Sequence, residues 1–156
     1  VKEYVSVDVE TTGLAPKQDK IIEIGAVRVR DGQIVGSFTC FVNPGRILPA
    51  HITELTGILQ EQVDEAETME SVLPAFLEFA GDLPLMGHRI LFDYGFLKRA
   101  AVNMRLDFER SGYPEAFQTV FVGASEQKII RPVRTFRNSD SGASGAGGRE
   151  GNAYFI

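Results

Sequence analysis

The sequence predicts an α/β domain whose mixed sheet opens with three antiparallel strands and is flanked by helices. Three observations carry that expectation. Two β-rich runs, Ile21 to Arg30 and Gln33 to Val42, flank Asp31-Gly32, a dipeptide suited to a two-residue hairpin. Tyr4 to Val9 alternates apolar and polar positions ahead of them, as a half-buried strand does, and ends in acid. Beyond the hairpin, helical and strand patterns follow one another in the order β-β-β-α-β-α, which places helices on a mixed sheet.

The elements follow in order. Thr12-Gly13-Leu14-Ala15-Pro16 is a turn or loop between the first two strands, and Asn43-Pro44-Gly45 ends the meander. Thr53 to Gly57 predicts a short helical turn. A helix is expected from about Ser71 to Ala80, with Val72, Ala75, Phe76 and Phe79 on one face and Pro74 near its first turn, where proline is tolerated. Leu83 to Met86 predicts a short buried strand. Gly87-His88-Arg89 leads into a second long helix that runs to about Asn103.

The chain has 156 residues, enough for one compact domain. Its formal net charge is −5 and its sequence pI about 5.1, which argues against a broad basic surface for duplex nucleic acid. A nuclease is not excluded, because cations offset a carboxylate-rich site. Cys40 is the single cysteine, so there is no internal disulfide and no cysteine-built zinc site. No apolar run is long enough for a membrane span and the N-terminus is not a signal peptide, so a cytoplasmic protein with no membrane partner is expected. The chain opens on Val1 rather than Met, either from an unusual start codon or as a piece of a longer chain.

After Ser111 the texture changes. Seven of the sixteen glycines lie in the last 46 residues, and residues 139–151 form a Gly/Ser run with no apolar period. Two regions are therefore expected: an α/β domain over residues 1–110 and an atypical tail over residues 111–156.

The first chemical feature is Asp8-Val9-Glu10. Two carboxylates two residues apart at a strand end point to the same face. Like charges held together repel and raise each other's pKa unless a cation intervenes, and hard oxygen donors suit Mg²⁺ or Mn²⁺. A bare Asp-x-Glu also fits a solvated strand end. Its neighbours shift the balance toward a metal site.

Asp8-Val9-Glu10-Thr11-Thr12-Gly13-Leu14 resembles the first motif of the DEDDh 3′→5′ exonucleases, the family of the proofreading epsilon subunit of DNA polymerase III and of ribonuclease T. Ile21-Ile22-Glu23-Ile24-Gly25-Ala26-Val27 resembles that family's second strand. Asn43-Pro44-Gly45 and Leu55-Thr56-Gly57-Ile58 match its next landmarks. Gly87-His88-Arg89-Ile90-Leu91-Phe92-Asp93 resembles its second motif, with Arg89 where the family more often has Asn. The resemblance covers residues 1–110 and implies a ribonuclease-H-like α/β fold.

It also implies roles. Asp8, Glu10 and Asp93 become catalytic metal ligands for two divalent ions, Mg²⁺ or Mn²⁺, about 3.5–4 Å apart. Thr11, Gly13, Leu14, His51, Thr56 and Phe92 become contacts to the terminal nucleotide. Each has a plainer alternative. Asp93 fits a helix N-cap, His51 a surface histidine, and Phe92 and Phe96 core aromatics. Glu23 fits a supporting role behind the metal ligands or an ordinary strand hydrogen bond. His88 is not the family's catalytic histidine and is expected to be partly buried beside the site.

The family's third motif, His-x-x-x-x-Asp, supplies a general base and the last metal ligand. This sequence lacks it: His51 and His88 come too early, and Asp140 has no histidine at the right spacing. The tail suggests why. Read one base out of frame, the residue pairs from Gly112 to Gln118 permit D-T-L-K-L-S. Those from Val133 to Asn138 permit C-E-H-F-G, those from Ala143 to Glu150 permit H-R-A-L-E-D-A, and the next three permit R-A-T. In order and spacing these resemble the family's missing segment, as though the frame slips near Ser111.

The expected function is metal-dependent hydrolysis of nucleic-acid 3′ ends to mononucleotides. The expected partners are single-stranded DNA, with RNA open, and a DNA polymerase subunit. The C-terminal part of the fold is incomplete as written, and no activity is expected of this exact chain. The alternatives are a non-catalytic relative that binds nucleic acid or a polymerase, and a truncated product.

Overall fold

The computed structural model describes residues 2–106 and Phe108. The expected tail, and with it the expected boundary after residue 110, lies outside the described residues. Within them the chain runs β1 (Glu3–Thr11), β2 (Ile21–Arg30), β3 (Gln33–Phe41), α1 (Ala50–Thr56), α2 (Gln60–Asp64), α3 (Met69–Ala80), β4 (Leu85–Met86) and α4 (Ile90–Asn103). The strands form one mixed sheet in the order β3-β2-β1-β4. β1–β2 and β2–β3 are antiparallel, and β4 returns parallel to β1 at Val5 and Ser6. The α/β architecture expected from the sequence is the one observed.

The meander is set by its turn. Asp31 (φ 48°) and Gly32 (φ 78°) are both left-handed, the backbone of a two-residue type I′ hairpin whose twist matches the flanking strands. Arg30 pairs with Gln33 across it.

A second local feature decides which side of the sheet each apolar residue serves. The β1–β2 register slips between Glu10 and Thr11: Glu10 faces Glu23, but Thr11 faces Ile21. Side chains alternate along a regular strand, so Ile22 and Ile24 would share a face. The bulge breaks that parity. Ile24 and Ile21 join the main core with Val5, Val7 and Val9. Ile22, fully buried, joins a separate cluster with Leu48, Ile52, Ile58 and Val63. One extra residue thus gives the sheet two cores, with α3 and α4 on one and α1 and α2 on the other.

The helices depart from expectation in ways that packing explains. α1 is longer than the expected turn at Thr53 to Gly57, and α2 was not anticipated; each buries only one or two residues, Ile52 and Thr56 or Val63, too weak a period to read. α3 starts two residues earlier than expected, so Pro74 lies inside the helix rather than in its first turn. Its buried face is Val72, Leu73, Phe76 and Ala80, while Ala75 is exposed and Phe79 half-buried. Phe38 of β3 anchors that face, 5.7 Å from the Phe76 ring in an edge-on contact and 5.6 Å from Phe79. Arg28 closes the far end, its guanidinium over the Phe79 ring and hydrogen-bonded to the Phe79 carbonyl. The strand expected over residues 83–86 shortens to Leu85–Met86, since Pro84 has no N–H for a ladder; its carbonyl still accepts from Val5 N at 2.8 Å. Among the described residues, no helix is long and apolar enough to cross a membrane.

Candidate active site

The site forms where β1 outruns its neighbour. β4 pairs with β1 only at Val5 and Ser6, so the edge of β1 beyond them needs another partner. Asp93 supplies it. Its Oδ1 accepts the Val9 N–H at 2.8 Å, a buried bond between residues 84 apart in sequence. Val9 is the residue between Asp8 and Glu10. A single hydrogen bond therefore ties the second-motif aspartate to the middle of the first motif.

The connection between β4 and α4 sets this geometry. At Gly87 the chain passes so close to β1 that a Cβ there would stand 2.6 Å from the Val7 carbonyl oxygen, well inside van der Waals contact. Arg89 then takes the left-handed conformation (φ 53°, ψ 42°) and serves as the N-cap of α4. For a residue with a long side chain this backbone costs about 1–2 kcal/mol. The turn delivers Asp93 in the fourth helical position, facing the sheet. The N-cap alternative for Asp93 is therefore corrected: Arg89 is the cap, and the Asp93 carboxylate reaches across to β1 instead.

Asp93 is 2 % exposed. Burial pushes its carboxyl from 3.8 up to about 7; the Val9 N–H opposes that rise, and the negative charges of Asp8 and Glu10 add to it. Asp8 and Glu10 are half-buried on β1. The three carboxylates are close enough for Asp93 to feel both charges, yet they do not close into a three-ligand group among the described residues. All the donors are hard oxygen atoms, the chemistry that Mg²⁺ and Mn²⁺ accept. A cation there would offset the negative charges of Asp8 and Glu10, which add to the effect of burial at Asp93.

The remaining expected residues divide by place. Thr11 is buried, its hydroxyl donating to the Gly13 carbonyl at 2.6 Å, and Gly13 is half-exposed. Leu14 is 85 % exposed at the end of the same segment, a large apolar side chain held out in solvent. Phe92 is half-buried, packed on the main core and 5.0 Å from the Phe96 ring. His51 and Thr56 lie on α1, which belongs to the second cluster. His51 is exposed; Thr56 is buried, its hydroxyl donating to the Ile52 carbonyl at 2.7 Å and accepting from Ile58 N at 3.1 Å. Glu23 stands directly opposite Glu10 in the β1–β2 register. His88 is exposed, not partly buried, because the turn at Gly87 directs the chain outward before α4 begins.

One organising residue was missed. Asp19 holds the loop after the first motif: its Oδ2 accepts from Ala15 N at 2.9 Å and its Oδ1 from the Thr12 hydroxyl at 3.2 Å. The same hydroxyl accepts from Lys20 N at 3.0 Å. A Cβ on Gly13 would collide with that carboxylate. The signal was legible in principle, since an acid at the end of a Gly/Pro loop commonly closes it through backbone N–H groups.

A mixed sheet with buried acid from a helix beside strand-borne acids defines the class: a ribonuclease-H-like fold carrying a carboxylate site. The chain belongs to the exonuclease family that takes its name from RNase T, whose pattern matches residues 5–120. Among curated relatives it is 51 % identical over 102 residues to the PolC-type DNA polymerase III of Clostridium perfringens, covering 65 % of this chain and 7 % of that protein. It is 43 % identical over 111 residues to the PolC-type polymerase of Bacillus subtilis, covering 71 % and 8 %. The chain thus spans less than a tenth of the length of these polymerases. In fold it is similar to E. coli exonuclease I solved with a dT13 oligonucleotide, with a TM-score of 0.64 at 17 % identity over 72 % of this chain and 26 % of that one.

Proposed function

We propose that this chain carries the front part of a metal-dependent 3′→5′ exonuclease that hydrolyses the 3′ ends of single-stranded DNA to mononucleotides in the service of a DNA polymerase. The observation that carries the reading is the Asp93–Val9 hydrogen bond, which joins the two acidic motifs in one buried place. The similarity to PolC-type polymerases supports the polymerase context and a cytoplasmic setting, and the family supports the exonuclease chemistry.

Asp8, Glu10 and Asp93 would hold the divalent ions, Mg²⁺ or Mn²⁺, which when bound lower the pKa of water and stabilise charge on the phosphoryl oxygens. The protein's own part is positional. Asp93 is fixed by β1 and cannot rotate away without exposing the Val9 N–H. Thr11, Gly13 and Leu14 present a firm backbone and one exposed apolar side chain to the terminal nucleotide. Phe92 on α4 and His51 and Thr56 on α1 are the further contacts in this reading, the Thr56 hydroxyl being already bonded to the Ile52 carbonyl and Ile58 N. The general base and fourth carboxylate come from neither β1 nor α4.

That gap supports the second half of the proposal. The sequence holds no His-x-x-x-x-Asp, and its tail read out of frame permits one. The written tail is an out-of-frame translation beginning near Ser111, and the chain as written does not turn over substrate. A non-catalytic relative that binds 3′ ends or a polymerase would show the same missing motif. Resequencing the coding DNA from the Arg110 codon onward separates the two. One inserted or deleted base that restores the third motif supports the enzyme. A clean reading of the present frame leaves the binding relative or a truncated product.

A further inference from the structure

A second feature of the described surface is cationic, in a chain whose net charge is −5. Between the loop after the first motif and the outer face of α4 lies a groove of about 530 Å³. Residues 15–18 form one wall, and Gly95, Lys98, Arg99 and Val102 form the other. Three of these residues, Lys17, Lys98 and Arg99, carry positive charge, and none of the lining residues is acidic. The adjoining cavity of about 300 Å³ shares Pro16 and Arg99 but includes Asp19 and Glu70, so the cationic character belongs to the groove.

Both walls grow out of the carboxylate site. Ala15 follows Glu10 by five residues, and Gly95 follows Asp93 by two. Pro16 and Gly95 meet at the floor, where a Cβ on Gly95 would lie 3.7 Å from the proline ring. Along α4 the rise from Asp93 to Val102 is about 14 Å. The groove residues lie about half a turn around α4 from Asp93, so a strand bound at the carboxylates crosses the helix to reach them. The loop wall is already ordered. Ala15 O accepts from Gln18 N at 2.9 Å and from Asp19 N at 2.7 Å, Asp19 accepts from Ala15 N, and Arg46 donates to the Gln18 carbonyl at 2.8 Å. A preformed wall loses little freedom on binding, and fixed cations on a polyanion's path gain affinity by releasing its counterions.

We propose that this groove binds the phosphodiester backbone of the single strand upstream of its 3′ terminus, with Lys17, Lys98 and Arg99 as the phosphate contacts. The inference rests on the exonuclease reading but concerns a different part of the strand. It explains how an acidic domain holds a polyanion: the terminal nucleotide meets the carboxylates, and the preceding phosphates meet a separate cationic track.

The test is fluorescence anisotropy of the full chain with labelled dT12 and labelled dT2 in Mg²⁺ over a range of salt. The unsubstituted chain is expected to bind dT12 more tightly than dT2. In Lys17→Ala/Arg99→Gln, dT12 affinity falls about tenfold and the salt slope drops by about 1.4, two contacts at about 0.7 each for a single strand. The dT2 affinity is unchanged. Lys17→Ala alone, on an exposed loop residue that does not endanger folding, lowers the slope by about 0.7. Unchanged dT12 affinity and slope overturn the groove and leave the exonuclease reading standing. An equal loss on dT2 and dT12 also overturns it, by placing these cations at the terminal nucleotide. Failure of the unsubstituted chain to bind either probe also overturns the groove, and the exonuclease reading is then tested separately on the frame-restored chain.

Discussion

Replacing Asp93 by Asn separates the charge of this carboxylate from its hydrogen bond. Asparagine keeps an Oδ1 that accepts the Val9 N–H, so the tie between α4 and β1 survives. What disappears is a buried acid whose pKa burial has lifted to about 7, with Asp8 and Glu10 adding to the rise. Such a group binds more protons in the folded chain than in the unfolded one. Its contribution is fully present below the ordinary value near 3.8, falls as pH rises, and reaches its full penalty above about 7. A displacement of about three pH units corresponds to about 4 kcal/mol. Urea unfolding in a chelator at about pH 4 and about pH 8 measures it. The unsubstituted chain should lose on the order of 4 kcal/mol more than Asp93→Asn between those two conditions, and the variant should be the more stable at the higher pH. Adding Mn²⁺ at about 100 times its Kd should restore about 2.7 kcal/mol to the unsubstituted chain at the higher pH and nothing to the variant. Identical pH dependence in the two chains would refute the account of a buried, charge-coupled carboxyl. Equal stabilisation of both by Mn²⁺ would refute Asp93 as a ligand.

Other perturbations reach the supports of the site. Gly87→Ala places a methyl against the Val7 carbonyl and should cost about 1–3 kcal/mol, read as a lowered urea midpoint; an unchanged midpoint would mean the β4–α4 turn is free to shift. Arg89→Asn keeps the left-handed N-cap with a residue that tolerates it and should stabilise by about 1 kcal/mol, measured by thermal melting; a lowered Tm would assign the guanidinium a packing role. Asp19→Ala leaves the Ala15 N–H and the Thr12 hydroxyl without their acceptor and should cost about 1–3 kcal/mol, with faster amide exchange at Ala15; unaltered exchange there would show that the loop holds its shape without Asp19. Ile22→Ala empties the second core and should cost about 2–5 kcal/mol, and a cost under 1 kcal/mol would deny that cluster a structural role.

The sequence was most informative where one residue's chemistry decides a backbone. Asp31-Gly32 determined the hairpin and the pairs next to it, Arg30 with Gln33 and Val29 with Ile34, before an irregularity at Arg28 shifts the β2–β3 register. Asp8-Val9-Glu10 declared its shared face because strand periodicity is strict. Other features depend on contacts between distant segments. The bulge opposite Thr11 moves Ile22 to the other core, and nothing in Ile21-Ile22-Glu23-Ile24 announces which residue is the extra one. α2 buries only Val63, so its period carries no signal. His88 looked like a residue beside the site because it is a sequence neighbour of the second motif, yet the turn at Gly87 sends it to the surface. Asp93 was legible as acidic and helical, but its partner was not: an N-cap lies a few residues away, whereas Val9 lies 84 residues away. The cationic groove was invisible because Lys17 and Lys98 are far apart in sequence and the overall charge is negative.

The most direct test of the account is exonuclease activity after the frame is restored. A chain identical through Arg110, continued in the frame that permits H-R-A-L-E-D-A, should release mononucleotides from the 3′ end of single-stranded DNA in Mg²⁺ or Mn²⁺. Asp8→Ala and Asp93→Asn should each abolish that release, and the 156-residue chain should show none. A folded, restored chain that cleaves nothing, or activity in the present chain that survives Asp8→Ala, would contradict the account.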